Sequence, residues 1–234
     1  MRKRVLSLLT TLALMAGLCT PLGGLVPEAE ASGDKTYGVL EYGTFTSTGT
    51  SGESDPNGLY QVIEACDPNA TGAIVIPSEI DGLPVKEIGP YAFDGCSGIT
   101  SVYVPGSVEL IGQRAFRDCT SLESVTLCDG LLRIKGHAFE GCTSLTSPST
   151  VESLWSDSIL NTKGHTFLDC TSLREVFILS RNVTLESSYA LNSMYTPYYS
   201  DLFENCAEDL VIYGYAGSTA EEYAGYNWYN LAFS

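Results

Sequence analysis

Short alternations of apolar and polar side chains recur along the chain. Val102 and Val104 alternate with Ser101 and Tyr103, Val125 and Leu127 with Ser124 and Thr126, and Val176 and Ile178 with Glu175 and Phe177. A period of two predicts short strands whose first set faces a core and whose second set faces out. Each alternation follows a Phe that has a Cys three residues beyond it. The pairs are Phe93/Cys96, Phe116/Cys119, Phe139/Cys142, Phe167/Cys170 and Phe203/Cys206, at steps of 23, 23, 28 and 36 residues. Fixed spacing inside a unit and near-fixed spacing between units mark a stacked-repeat protein. Glycines beside the first four units, such as Gly89 and Gly112, let the backbone turn tightly. The Phe is expected to span the coil and the small Cys to pack where the chain turns. No such unit buries its apolar face alone, so each needs neighbours. Successive strands then form a parallel sheet with a step of about 4.8 Å.

The pattern weakens in places. The third unit is expected to lose its strand, because Ser147 and Pro148 stand where Ser-Val is found elsewhere. Insertions at 149–163 and 184–200 stretch the later units. Ahead of the repeats, residues 37–45 and 59–66 read as strands around a Ser/Thr/Gly loop at 44–58, a hairpin cap over the first sheet edge. In the lead-in segment 73–85, Ile74, Ile76 and Pro77 align with Val102, Val104 and Pro105.

The units Ile111-Gly112, Arg114-Ala115-Phe116, Cys119, Leu122, Val125 and Leu127, with their copies, resemble the leucine-rich-repeat superfamily. Among its branches they are most similar to the secreted bacterial BspA-like proteins, over roughly residues 74–213. The resemblance implies an α/β, right-handed solenoid of short parallel strands with few short helices, an N-terminal β cap and a C-terminal strand-helix cap, its strand at 211–218 and its short helix at 219–224. The organisation expected is a signal peptide at 1–31, cap and lead-in at 32–86, repeats at 87–208 and a C-terminal cap at 209–234.

Secretion is read from the first residues. Arg2, Lys3 and Arg4 precede an apolar run at 5–18, and Ala29-Glu30-Ala31 gives a small-x-small cleavage site. Cys19 raises lipidation, but Leu18 stands where a small residue is needed. No other apolar run approaches 20 residues, so no transmembrane helix is expected. Cleavage after Ala31 removes three Lys/Arg and two Asp/Glu. That leaves 9 against 26, a net charge of −17. No basic stripe exists to displace phosphate counterions, so nucleic acid is disfavoured as a partner. No calcium loop of recognised spacing is present.

Secretion favours disulfides in general. Here five cysteines share one repeat position, which favours a buried row of thiols over bridges. Cys66 and Cys128 lie outside that row, and a bridge between them is not favoured. Zinc is disfavoured because the cysteines recur one per coil. Two histidines, His137 and His165, each lie two residues before a Phe and read as turn residues stacked in adjacent coils. No nucleophile elbow is present, so neither catalytic residues nor a cofactor is expected.

A binding surface fits better. Tyr103, Thr126, Phe177 and Val211 are expected along one outward row of the sheet. Exposed aromatics are enriched as interface anchors, and the competing reading is packing beneath a loop. The second insertion carries Tyr189, Tyr195, Tyr198 and Tyr199 with Met194 and Pro197, and the first carries Trp155. Insertions leave the coil and often carry function. The resemblance implies adhesion or cell-surface contact, with extracellular or host proteins, matrix proteins among them, as partners. The alternatives are a carbohydrate-binding protein or weak glycosidase, with glycan as partner, and a structural surface component.

Overall fold

The computed structural model describes residues 36–48, 54–128, 130–149, 165–178, 202–214 and 230–233. Within them every regular element is a strand. In order these are β1 (Thr36–Tyr37), β2 (Leu40–Thr48), β3 (Ser54–Cys66), β4 (Gly72–Val75), β5 (Glu79–Ile80), β6 (Leu83–Ile88) and β7 (Ile99–Val104). There follow β8 (Leu110–Ile111), β9 (Ser124–Leu127), β10 (Arg133–Ile134), β11 (Ser147–Ser149), β12 (Glu175–Ile178), β13 (Val211–Gly214) and β14 (Asn230–Phe233). The few short helices expected do not occur among the described residues, and the expected helix at 219–224 lies outside them.

Over three turns of the stack, β4/β6, β7/β8 and β9/β10, the chain supplies one strand to each of two sheets. One sheet runs β11-β9-β7-β4 in parallel; the other carries β6-β8-β10, also parallel. Ile74 lies level with Val102, and Val102 with Val125, as the shared spacing requires. Alternation holds along these strands: Val102, Val104, Val125 and Leu127 are buried while Tyr103 and Thr126 are half-exposed. A third parallel sheet, β12-β13-β14, follows.

Two local expectations are corrected. Ser147–Ser149 is a strand after all, paired with β9 so that Pro148 sits level with Val125. It forms the outermost strand of its sheet, where a missing N–H removes no ladder bond on the open side. The N-terminal strands also reach further than expected. β2 and β3 pair antiparallel as far as Thr48 and Ser54, through two bulges, because Thr-rich sequence fits a strand as readily as a loop. β3 then pairs parallel to β6. Buried Gln61 joins this hairpin to the lead-in by donating to the Ile80 carbonyl at 3.4 Å. Tyr42 adds a bond to Asp81 at 2.6 Å.

The core is a column. Rings of Phe93, Phe116, Phe139, Phe167 and Phe203 stack at centroid separations of 4.7, 5.1, 5.3 and 5.4 Å, with planes within 18° of parallel. Offset stacking of this kind adds about 0.5–1.5 kcal/mol per pair beyond area burial. Beside it runs the thiol row. Cys119 donates to the Phe93 carbonyl at 3.1 Å, Cys142 to Phe116 at 3.1 Å, Cys170 to Phe139 at 3.1 Å and Cys206 to Phe167 at 3.2 Å. Backbone bonds follow the same step: Phe93, Phe116, Phe139 and Phe167 donate their N–H groups to Ala115, Ala138, Thr166 and Leu202 in the next coil.

Candidate functional site

Outward side chains on a parallel sheet fall into rows, one residue per strand, about 4.8 Å apart. Tyr103 is level with Thr126, as expected, and the row continues to Val75 on one side and Ser149 on the other. In the later sheet Phe177 lies level with Tyr213, not with Val211. Val211 pairs instead with Glu175, in the position of Ser101 and Ser124. The expected single row is therefore corrected twice: Phe177 lies in a different sheet from Tyr103 and Thr126, and Val211 is off the Phe177 row. Counting ten residues from each Phe, as Tyr103, Thr126 and Phe177 are placed, would have found Tyr213. Its hydroxyl lies 3.4 Å from Glu175. Burial, together with that carboxylate, raises the phenol's pKa. Tyr195, Tyr198 and Tyr199, with Tyr189, Met194, Pro197 and Trp155, lie outside the described residues.

The opposite, turn side of the coil carries charge in a regular pattern. The residue two after each Phe is Gly95, Asp118, Gly141, Asp169 or Asn205, and every one has φ between 58° and 74°. These are the residue types that enter the left-handed region at least cost. The residue two before the first three is bulkier, yet Tyr91, Arg114 and His137 also have φ of 61°, 55° and 62°. Bonds between coils, such as Tyr91 N–H to the Gln113 carbonyl at 3.1 Å, hold them there.

From these positions the side chains interlock. Arg114 donates to the Tyr91 hydroxyl at 3.1 Å and lies 3.6 Å from Glu140. Arg117 grips Asp94 through two bonds of 2.7 Å, with its guanidinium 5.7 Å from the Tyr91 ring centre. His137 and His165 are both 8% exposed with ring centres 5.5 Å apart. His137 Nδ1 sits 3.0 Å from Glu140 Oε2, but too far out of line for a full hydrogen bond. His165 Nδ1 sits 3.1 Å from Glu204. Burial depresses the His137 pKa, and Arg114 and His165 push the same way against Glu140. The two histidines stack in adjacent coils, as their spacing requires, and they are buried more deeply than turn residues usually are.

Thiol chemistry is suppressed. The seven described cysteines carry thiols, and all but Cys206 are buried. Burial raises the pKa of Cys66 and Cys96, and the bond with Cys142 followed by burial raises that of Cys119. Among the described residues no group of three or more His, Cys, Asp or Glu side chains is placed to hold a metal ion. No described helix is long and apolar enough to cross a membrane.

Comparison with known proteins bears on this geometry. Residues 86–208 match the BspA type leucine rich repeat region, in six copies. No curated protein matches the chain. Among solved structures it is similar to the T. pallidum leucine rich repeat protein TpLRR (22% identity, TM-score 0.48), over 85% of this chain and 98% of that one. It is similar to a leucine rich cell surface protein from Faecalibacterium prausnitzii A2-165 (19%, TM-score 0.42), over 81% and 51%. The pneumococcal vaccine antigen PcpA matches at 20% and TM-score 0.44, over 76% and 46%.

Proposed function

The chain belongs to the BspA-type leucine-rich-repeat family, and from that premise we propose that it is a secreted, non-catalytic protein that binds macromolecular partners at the cell surface, as an adhesin does. The observation that carries the reading is the outward sheet face, on which half-exposed Tyr103 and Thr126 stand level on neighbouring parallel strands. A flat, ordered row of side chains suits recognition of a surface. Among the described residues, the thiols of Cys66 and Cys119 are buried and raised and the two histidines face carboxylates, which supports the non-catalytic reading. The acidic composition, net −16 over the whole sequence, favours a partner that is not itself strongly anionic.

The experiment is capture by the immobilised protein, residues 32–234, of extracellular matrix proteins and of soluble glycans in parallel. Saturable capture of a protein, weakened at least severalfold by Tyr103→Ala or Tyr213→Ala, supports the reading. Capture of glycans alone moves it to carbohydrate recognition. Capture of neither leaves a structural surface role.

A further inference from the structure

The other sheet holds a recess that the adhesive reading does not use. Where the hairpin lies along β6, Phe45, Val62, Glu64, Glu87, Gly89 and Pro90 enclose a cavity of about 250 Å³. Its walls are apolar except for two carboxylates, and no cation lines it. Gly43 shapes one side: a methyl group there would stand 2.7 Å from Glu64 Oε2 and 2.9 Å from the Phe45 ring, so the missing side chain lets carboxylate and ring lie together. Glu87 is half-buried, and among the described residues no hydrogen bond or ion pair satisfies it. The nearby cation Lys86 is engaged by Glu109 at 2.9 Å. Partly buried carboxylates are ordinarily paired, because desolvation penalises a lone charge. Burial accordingly raises the Glu87 pKa, with Lys135 opposing.

Glu87 also borders a second cavity of about 340 Å³, where Tyr60, Leu110 and Leu132 supply apolar wall between the charged side chains of Lys86, Glu109 and Arg133. Leu132 is 57% exposed, the most exposed large hydrophobic side chain among the described residues. A carboxylate pair beside an aromatic ring, in a space the size of one side chain, is complementary to a cation on an aliphatic stem. The stem lies on Phe45, Val62 and Pro90, and the head meets Glu64 and Glu87 within reach of the ring face. We propose that this recess takes a Lys or Arg side chain of a protein partner, with an adjacent apolar residue of the same extended segment seated against Tyr60 and Leu132. The site lies on the sheet away from Tyr103, so the two readings stand or fall separately.

The test uses the full mature chain and three peptides: acetyl-Gly-Ser-Lys-Leu-Ser-Gly-amide, the same with norleucine for Lys, and the same with Ser for Leu. Binding is read by amide NMR shifts and titration. The Lys-Leu peptide is expected to shift the Val62 and Gly89 amides. Both substituted peptides are expected to bind more weakly, the norleucine one by about tenfold. The double variant Glu64→Gln/Glu87→Gln is expected to lose a similar factor, and Tyr103→Ala none. Equal binding of the Lys and norleucine peptides overturns the proposal. So does a double variant that binds like the parent, a shift confined to other amides, or no binding of any peptide at millimolar concentration.

Discussion

A cysteine in the repeat row does something that an alanine of similar size cannot. Its thiol fills the turn and also donates to the Phe carbonyl of the preceding coil, at 3.1 Å for Cys142 and Phe116. Cys142→Ala removes the sulfur's packing and one partner of a buried carbonyl. It is expected to destabilise by about 1–3 kcal/mol in urea unfolding. Cys142→Ser keeps a donor but shortens its reach, and it buries a more polar group. It is therefore expected to be no better than the alanine; an alanine variant as stable as the parent would mean that neither the sulfur's packing nor its bond contributes. The same burial makes a reactivity forecast. Thiols raised by burial do not form the attacking thiolate near neutral pH. In the native mature protein, half-buried Cys206 is expected to react first with an aromatic disulfide reagent. The others are expected to wait for unfolding, so fast labelling of several thiols would contradict the row.

At the scale of the element, the turns limit substitution more tightly than the strands do. A methyl group on Gly112 would lie 2.5 Å from the Pro90 nitrogen and 2.6 Å from the Gly89 carbonyl carbon. Backbone cannot yield as a flexible side chain does, so Gly112→Ala is expected to cost about 1–3 kcal/mol, seen as a lower urea midpoint with unchanged m. The next coil carries Lys135 after Ile134, so the closeness comes from the Gly89–Pro90 peptide beneath Gly112. This contact was beyond sequence reading, because a Gly that eases a turn and a Gly that admits a neighbouring backbone look alike. The Phe/Cys column was legible, since its residues recur at fixed offsets and chemistry leaves them one place. So was the Val102–Val125 register. What misled was local chemistry taken without its place in the sheet. Pro148 argues against a strand only if that strand is central, and β11 is outermost. Val211 stands eight residues after Phe203, as Ser101 does after Phe93, so it shares the outward face but lies two residues off the Tyr103 row. The turn-side charges were missed as a set, although Asp94 and Arg117, like Arg114 and Glu140, sit at recurrent offsets from successive Phe residues.

Across the described residues, the stack has a seam where its two kinds of support differ. β11 and β12 belong to different sheets, and on the strand side the third and fourth coils are joined by the Arg174 N–H to Thr146 carbonyl bond at 3.2 Å rather than by paired strands. The turn side adds the larger part of the join: the Phe139 and Phe167 rings at 5.3 Å, Phe139 N–H to the Thr166 carbonyl at 2.9 Å, Cys170 to the Phe139 carbonyl, and His137 against His165. In a quasi-one-dimensional fold each coil is held only by its neighbours, so a weakened seam releases everything beyond it. Protonating His137 would set a cation among Arg114, His165 and Glu140, and only the last welcomes it. Its pKa is lower folded than unfolded, so below about 6.5, the ordinary imidazole value, the unfolded chain binds more protons. Stability is then complete above that pH and declines as pH falls through the depressed native value. Hydrogen exchange is expected to show protection lost first at β12 and β13 on mild acidification, ahead of β7 and β9. His137→Asn keeps a residue that tolerates positive φ and removes the titrating group. It is expected to flatten the pH dependence between 6.5 and the onset of carboxylate titration. If the variant and the parent lose protection in parallel over that interval, the histidine pair has no part in holding the seam.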